Sequence, residues 1–160
     1  MGTYPPSVPG PAAGSEIRPQ RGTVLALDFG ERRTGVAVGE LELGLAHPLA
    51  TLNSASDRAR LAALDGLVKE WSPVLFVVGL PVHLDGSQHP LAPRCERFAA
   101  KLHARFGLPT RLVDERLTSA TASLALAEAG VRGRRQKDVL DQMAAQQILQ
   151  AFFASPDDPA

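Results

Sequence analysis

The chain has 160 residues, 44% of them hydrophobic, and its 17 basic and 17 acidic side chains leave no net charge. This composition suits one globular domain with a sizeable core, and no apolar run approaches the roughly 18 residues that a membrane span needs. We see no secretory signal pattern, and Cys95 is the only cysteine, so no internal disulfide can form. We therefore expect a cytoplasmic protein without membrane attachment.

The two ends of the chain differ in composition from its middle. Residues 1–20 are rich in Pro, Gly and Ser and show no hydrophobic periodicity, which predicts a disordered tail. Residues 155–160 predict a short frayed end. The sequence therefore predicts one folded domain over residues 21–154.

Between these ends, apolar runs and turn residues predict alternating elements. We expect strands at 23–29, 34–39, 44–51, 74–78 and 110–113, helices at 56–71, 91–106, 119–129 and 138–153, and loops at 79–90 and 131–137. Short links join the first three strands, which predicts an antiparallel meander, and the later alternation predicts parallel strands. The fold class is thus α/β, with a mixed five-stranded sheet and helices packed on it.

Acidic residues lie at the margins of three of these predicted elements, next to apolar positions. Asp28 ends the first strand, Asp114 and Glu115 follow the last one, and Asp141 lies on the line of Ile148 along the final helix. A charge beside buried structure is costly unless it is paired or binds something. We therefore interpret these acids as a candidate shared site.

Carboxylate oxygens without His or Cys ligands favour hard cations such as Mg²⁺ or Mn²⁺. Two such metals can activate water and stabilise both oxygens of a phosphodiester displacement. Structural alternatives remain open at this point. Asp114 and Glu115 can be a solvated loop pair, and Asp141 can bind first-turn amides or face a groove at the sheet edge. Asp138 is the predicted N-cap of the helix that carries Asp141.

The balance of charge argues weakly against a nucleic-acid-binding protein. The basic residues are nevertheless mostly Arg, the better phosphate ligand, and several occur in short runs. A genome of high GC content would produce the same excess of Arg. The runs comprise Arg32, Arg33, Arg132, Arg134 and Arg135.

Four motifs now resemble one family. They are Leu27-Asp28-Phe29-Gly30 with Arg33-Thr34-Gly35, Gly79-Leu80-Pro81 with Asp85-Gly86-Ser87, Asp114-Glu115-Arg116-Leu117-Thr118, and Lys137–Ala145 followed by Ile148-Leu149-Gln150. In this order they resemble the YqgF (RuvX) family, an RNase H-like group described as pre-16S rRNA nucleases or Holliday junction resolvases. The resemblance spans residues 23–153 and departs from the family pattern at His83 and Leu84.

The resemblance implies an RNase H-like sheet with helices on both faces and a nuclease that needs Mg²⁺ or Mn²⁺. It implies that Asp28, Glu115 and Asp141 are the catalytic and metal-binding residues. Expected phosphate contacts are Arg32, Arg33, Arg116, Arg132, Arg134, Arg135 and Lys137. Expected structural loop residues are Gly30, Gly35, Gly79, Pro81, Asp85 and Gly86.

The implied partners are structured RNA or branched DNA and ribosomal precursor particles, for a monomer or a homodimer. One alternative is a non-catalytic ribosome-assembly or nucleic-acid-binding factor on the same fold. Another is a phosphotransferase of the actin-like or sugar-kinase type, which also has an Asp-x-Gly turn such as Asp28-Phe29-Gly30. Such enzymes need two domains around ATP, and this chain is long enough for one.

Overall fold

The computed structural model describes residues 19–81, 89–114 and 133–154, and the side chains of residues 133–136 lie outside that description. Three helices fall within these ranges: α1 (Asp57–Trp71), α2 (Ala92–Phe106) and α3 (Gly133–Ala154). None of the helices in the described ranges is long and apolar enough to cross a membrane. Residues 1–18 of the predicted tail over 1–20, the predicted helix 119–129 and the predicted end over 155–160 lie outside these residues.

Within this part of the chain, the strands form one five-stranded sheet. They are β1 (Thr23–Asp28), β2 (Arg33–Glu40), β3 (Leu45–Asn53), β4 (Leu75–Leu80) and β5 (Thr110–Asp114), and their spatial order is β3-β2-β1-β4-β5. The first three are antiparallel neighbours, whereas β4 is parallel to β1 and β5 is parallel to β4. The predicted mixed sheet with an antiparallel beginning is confirmed.

Successive side chains of β1 point to opposite faces of the sheet, so the hydrophobic core has one part on each face. Leu25 and Leu27 pack with residues of α1 and α2, whereas Val24 and Ala26 pack with residues of α3. We call these the α1/α2 face and the α3 face. Both faces are covered, which explains why β1 and β4 are nearly continuous apolar runs.

The ends of α1 and α2 follow local sequence signals. The hydroxyl of Ser56 accepts a hydrogen bond from the backbone N–H of Ala59 at 3.1 Å, which satisfies one free donor of the first turn of α1. Gly107 ends α2 in the left-handed region with φ of 66°. The prediction that α2 ends at Gly107 is therefore confirmed.

The start of the last helix differs from the prediction. Helix α3 begins at Gly133, so Asp138 lies inside it and is not its N-cap, and Arg134, Arg135 and Lys137 belong to the helix instead of a loop. Arg, Gln and Lys have high helix propensity and carry no stop signal, so they extend the helix towards its N-terminus. The prediction of a loop over 131–137 was wrong from Gly133 onward.

Strand β3 is an edge strand of the described sheet and tolerates Pro48. The register between β2 and β3 shifts between Val36 and Ala37, so that Val36 pairs with Ala50 and Ala37 pairs with Pro48. Proline lacks the N–H of a central strand but fits an edge or a bulge. The strand therefore continues to Asn53, beyond its predicted end.

Candidate active site

Three strands place Asp28, Gly35 and Thr51 side by side across the sheet. Asp28 pairs with Gly35 in the register of β1 and β2, and Gly35 pairs with Thr51 in the register of β2 and β3. By alternation Asp28 shares the α3 face with Ala26. We call these three paired residues the site row.

Helix α3 crosses the site row at Gly35. A Cβ atom at position 35 would overlap the backbone carbonyl oxygen of Asp141, so the helix can approach β2 this closely only over a glycine. Neighbouring Cα atoms of an antiparallel pair are about 5 Å apart. The packing therefore brings the backbone of Asp141 close to the end of β1, where Asp28 lies, on the same face of the sheet.

Helix α3 also packs closely on Gly39, four residues further along β2. A Cβ atom at Gly39 would lie 2.9 Å from the ring of Phe153 in the last turns of α3. Gly35 and Gly39 thus provide a flat surface on which α3 packs along β2. The predicted structural role of Gly35 has a direct cause, because its missing side chain leaves room for the helix that carries Asp141.

Asp141 is a half-buried acid with a basic partner. Arg33 donates from Nε to Oδ2 of Asp141 at 2.8 Å, and the side chains are 33% and 19% exposed, respectively. Burial raises the pKa of Asp141 above its ordinary value, the bond and charge of Arg33 counteract that rise, and the charge of Asp138 adds to it. Arg33 therefore favours the charged form of Asp141, against the effect of burial.

The structure places two of the three predicted acids, Asp28 and Asp141, on one face of the sheet and does not describe the third. Glu115 lies outside the described residues, as do Arg116, Arg132, Asp85 and Gly86. Asp114 pairs with Leu80, which packs on the α1/α2 face, so Asp114 belongs to the face opposite Asp28. Among residues 19–81, 89–114 and 133–154, no three His, Cys, Asp or Glu side chains form a group that could hold a metal ion.

The predicted phosphate-contacting residues fall into three groups. Arg32 and Lys137 are exposed, and Arg33 binds Asp141. Arg134 and Arg135 lie in the first turn of α3 with side chains that are not described. Arg32 and Lys137 are thus free of the core, whereas Arg33 has a partner within the site.

The remaining predicted loop residues are at strand ends. A Cβ at Gly30 would overlap the carbonyl oxygen of Arg33, so the turn between β1 and β2 requires glycine there. Gly79 is buried in β4, and its carbonyl accepts a hydrogen bond from Sγ of Cys95 at 3.0 Å. Pro81 follows the end of β4 and is partly buried.

Arg60 of α1 is a buried cation that the sequence analysis missed. Its side chain is 0% exposed, its Nε donates to the hydroxyl of Thr34 at 2.9 Å, and Nη1 donates to Asp57 at 2.6 Å. Nη2 donates to the backbone carbonyls of Gly30 and Glu31, both at 2.9 Å. Arg60 thus ties the turn that follows Asp28 to helix α1.

Two more contacts complete the environment of this guanidinium group. Nη2 of Arg60 also donates to the carbonyl of Ser54 at 3.1 Å, and the group lies 4.6 Å from the ring centroid of Phe29. Burial lowers the pKa of Arg60, and the charge of Asp57 opposes that shift. Arg60 precedes Leu64 by four residues on the apolar side of α1, and this helical spacing is the signal that could have revealed it.

The donor chemistry of the site fits a divalent cation. Asp28 and Asp141 supply carboxylate oxygens, which Mg²⁺ and Mn²⁺ prefer over nitrogen and sulfur ligands. The half-buried carboxylate of Asp141 already has Arg33 as a positive neighbour, and a divalent cation would likewise favour its charged form.

Comparison with known proteins assigns the chain to a family. The sequence model of RuvX, described as Holliday junction resolvase, matches residues 22–155. The chain belongs to the RuvX family. This is a family of nucleases, and the matched residues 22–155 include both Asp28 and Asp141.

Relatives of this RuvX chain carry one name. A protein of Nitrosospira multiformis named "Putative pre-16S rRNA nuclease" is 61% identical over 136 residues, which cover 85% of this chain and 90% of the relative. A protein of Methylobacillus flagellatus with the same name is 53% identical over 146 residues, covering 91% and 97%.

A solved structure shares the RuvX fold. T. thermophilus RuvC in complex with a Holliday junction substrate matches with a TM-score of 0.51 at 16% sequence identity, covering 86% of this chain and 97% of RuvC. This likeness confirms the RNase H-like fold.

Proposed function

We propose that this RuvX protein is a divalent-metal-dependent nuclease that hydrolyses phosphodiester bonds in structured RNA, with maturation of the 5′ end of pre-16S rRNA as its reaction. The observation that carries the proposal is the approach of Asp141 to the site row, which puts two acids from distant parts of the chain on one sheet face. The name shared by its relatives supports the substrate.

In this proposal Asp28, Asp141 and Glu115 hold Mg²⁺ or Mn²⁺. When bound, such a cation supplies a Lewis acid for the phosphate and lowers the pKa of a water molecule. Asp28 contributes from the rigid end of β1, and Asp141 contributes from a helix that packs on β2. Acids held by strands and helices keep their positions better than acids on loops.

Recognition of the substrate would rest on phosphate contacts. Arg32 and Lys137 are exposed, and Arg33 lies at the site. Arg116, Arg132, Arg134 and Arg135 remain proposed contacts of the same kind. Because phosphate contacts release counterions, the affinity for RNA should fall steeply as salt increases, and an unchanged affinity would contradict phosphate-led recognition.

The test of the function compares wild type with Asp28→Asn and Glu115→Gln on a 5′-extended 16S precursor RNA in Mg²⁺ or Mn²⁺. Both variants should lose cleavage and keep the circular-dichroism spectrum of the wild type. The control is Glu70→Gln, an exposed acid of α1, which should cleave normally. Cleavage by Asp28→Asn at the wild-type rate would contradict the assignment of Asp28.

A second candidate substrate is a four-way DNA junction, favoured by the description of the RuvX family model. The same variants should be assayed on a synthetic junction beside the precursor RNA. If the protein cleaves the junction faster than the precursor RNA, its substrate is branched DNA and the proposed RNA substrate is wrong. If wild type binds either nucleic acid but cuts neither at any metal concentration, the protein is a non-catalytic binding factor.

A further inference from the structure

Thr51 connects β3 to the turn of α3 that carries Asp141. Its hydroxyl donates to the backbone carbonyl of Asp138 at 2.9 Å and accepts from Nε2 of Gln142 at 3.1 Å. Thr51 is also the neighbour of Gly35 in the site row. The helical turn above Gly35 is therefore held from β3 at residues 138 and 142, on both sides of Asp141.

Two more glutamines of α3 bind the same strand. Gln146 donates from Nε2 to the carbonyl of Ala46 at 2.9 Å, and Gln150 accepts from the N–H of Ala46 at 3.3 Å and donates to the carbonyl of Gly44 at 3.0 Å. Gln142, Gln146 and Gln150 are spaced by four residues and share one side of the helix. We call them the glutamine row: Gln142 binds the hydroxyl of Thr51, and Gln146 and Gln150 bind backbone groups at the start of the edge strand.

Close packing and hydrogen bonding contribute differently to the position of Asp141. The glycine at position 35 permits the helix to approach, but an open surface does not fix where along β2 the helix stops. Hydrogen bonds have preferred distances and angles and can fix both the rotation and the axial position of a helix. Arg33 binds the carboxylate of Asp141 itself, and among the hydrogen bonds between α3 and β3 those of Thr51 lie nearest to Asp141 in sequence.

From this geometry we propose that Thr51 and Gln142 are positioning residues for Asp141. They fix the turn from Asp138 to Gln142, so that the carboxylate of Asp141 stays on the α3 face beside Asp28. The inference rests on the proposed nuclease function, which gives Asp141 its role. A displacement of a site group by about 1 Å can reduce a rate on the order of 100-fold.

The test uses Thr51→Val, which keeps the shape of the side chain and removes both hydrogen bonds. We expect kcat for precursor RNA to fall between about 10-fold and 100-fold while KM stays within about twofold, because phosphate contacts are untouched. Thr51→Ser keeps the hydroxyl and should restore kcat. Gln142→Met repeats the test from the helix side and should lower kcat in the same way.

The matched control is Gln150→Leu, which removes bonds between the same helix and the same strand at the far end. Eight residues separate Gln150 from Gln142, about 12 Å along the helix. This variant should lose thermal stability much as Thr51→Val does and should keep kcat. A fall in kcat equal to that of Thr51→Val would overturn the inference, because helix attachment in general would then explain both.

A second readout does not depend on cleavage. Calorimetric titration of Mn²⁺ without nucleic acid should show about tenfold weaker binding to Thr51→Val and unchanged binding to Thr51→Ser and Gln150→Leu, an effect comparable to the loss of a residue that orients a metal ligand. If Thr51→Val keeps the kcat and the Mn²⁺ affinity of the wild type, the positioning role of Thr51 is wrong and the proposed function is unaffected. If wild type itself neither binds Mn²⁺ nor cleaves, the proposed function fails and the role falls with it.

Discussion

The carbonyl oxygen of Asp141 occupies the space that a side chain at Gly35 would need. This relationship joins residues that are far apart in sequence and brings the turn of α3 that carries Asp141 close to the end of β1, because Gly35 is the register partner of Asp28. The site therefore depends on a glycine as much as on its carboxylates.

Gly35→Ala should displace α3 and strongly reduce cleavage. The new Cβ meets backbone atoms, which cannot rotate away, so we expect a loss of roughly 1–3 kcal/mol in the free energy of unfolding, the usual range for overpacking. The control is Gly66→Ala in α1, where a Cβ meets nothing within 4 Å. That variant should gain up to about 1 kcal/mol of stability from helix propensity and retain full activity. Chemical denaturation and the RNA assay measure both, and equal activity of the two variants would contradict the packing argument.

Arg33 and a divalent cation should compete for Asp141. Arg33→Met removes the positive charge 2.8 Å from Oδ2, so Mn²⁺ should bind about tenfold more tightly, which corresponds to the loss of a repulsion of about 1.4 kcal/mol. Arg32→Met is the matched control, since Arg32 is exposed and adjacent in sequence; it should weaken RNA binding and leave Mn²⁺ affinity unchanged. Titration calorimetry measures the Mn²⁺ affinity of both variants. Weaker Mn²⁺ binding by Arg33→Met than by wild type would show that Arg33 and the cation do not compete for Asp141.

Arg60→Met should destabilise the protein by about 3 kcal/mol or more, because it leaves the buried hydroxyl of Thr34 and the half-buried carbonyls of the turn after Asp28 without their donor and removes the charge that pairs with Asp57. The comparison is Arg105→Met, whose exposed ion pair with Asp65 at 2.6 Å should matter little. Urea denaturation measures the difference. A loss for Arg60→Met as small as that for Arg105→Met would mean that packing, and not the guanidinium, holds the turn.

The raised pKa of Asp141 predicts a pH-dependent gain in stability for Asp141→Asn. In wild type without metal, the folded protein binds the Asp141 proton more tightly than the unfolded chain does, so stability falls as pH rises from 3.8 through the folded pKa. Asn carries no such charge. In EDTA, the stability of Asp141→Asn relative to wild type should rise over this window and stay constant above it, as followed by thermal unfolding. If the stability of Asp141→Asn relative to wild type falls as the pH rises, the effect of Arg33 on the pKa of Asp141 outweighs the effect of burial.

Hydrophobic periodicity by itself determined the five strands, the three described helices and the position of Asp28 and Asp141 at the margins of apolar structure. These properties depend on neighbours within a few residues, which is why a strand or a helix face can be predicted without knowing the rest of the molecule. The motifs also identified the family, which the match over residues 22–155 confirms.

The structure corrected the start of helix α3, which lies five residues before its predicted N-cap at Asp138, because a run of good helix formers offers no stop signal.

Only the tertiary structure decided which distant groups meet. Arg33 binds Asp141 across 108 residues, and Arg60 binds the turn of Gly30 across 30. Such pairings depend on how helices pack on the sheet, so local sequence can show that Asp141 needs a partner but cannot show that Arg33 is that partner.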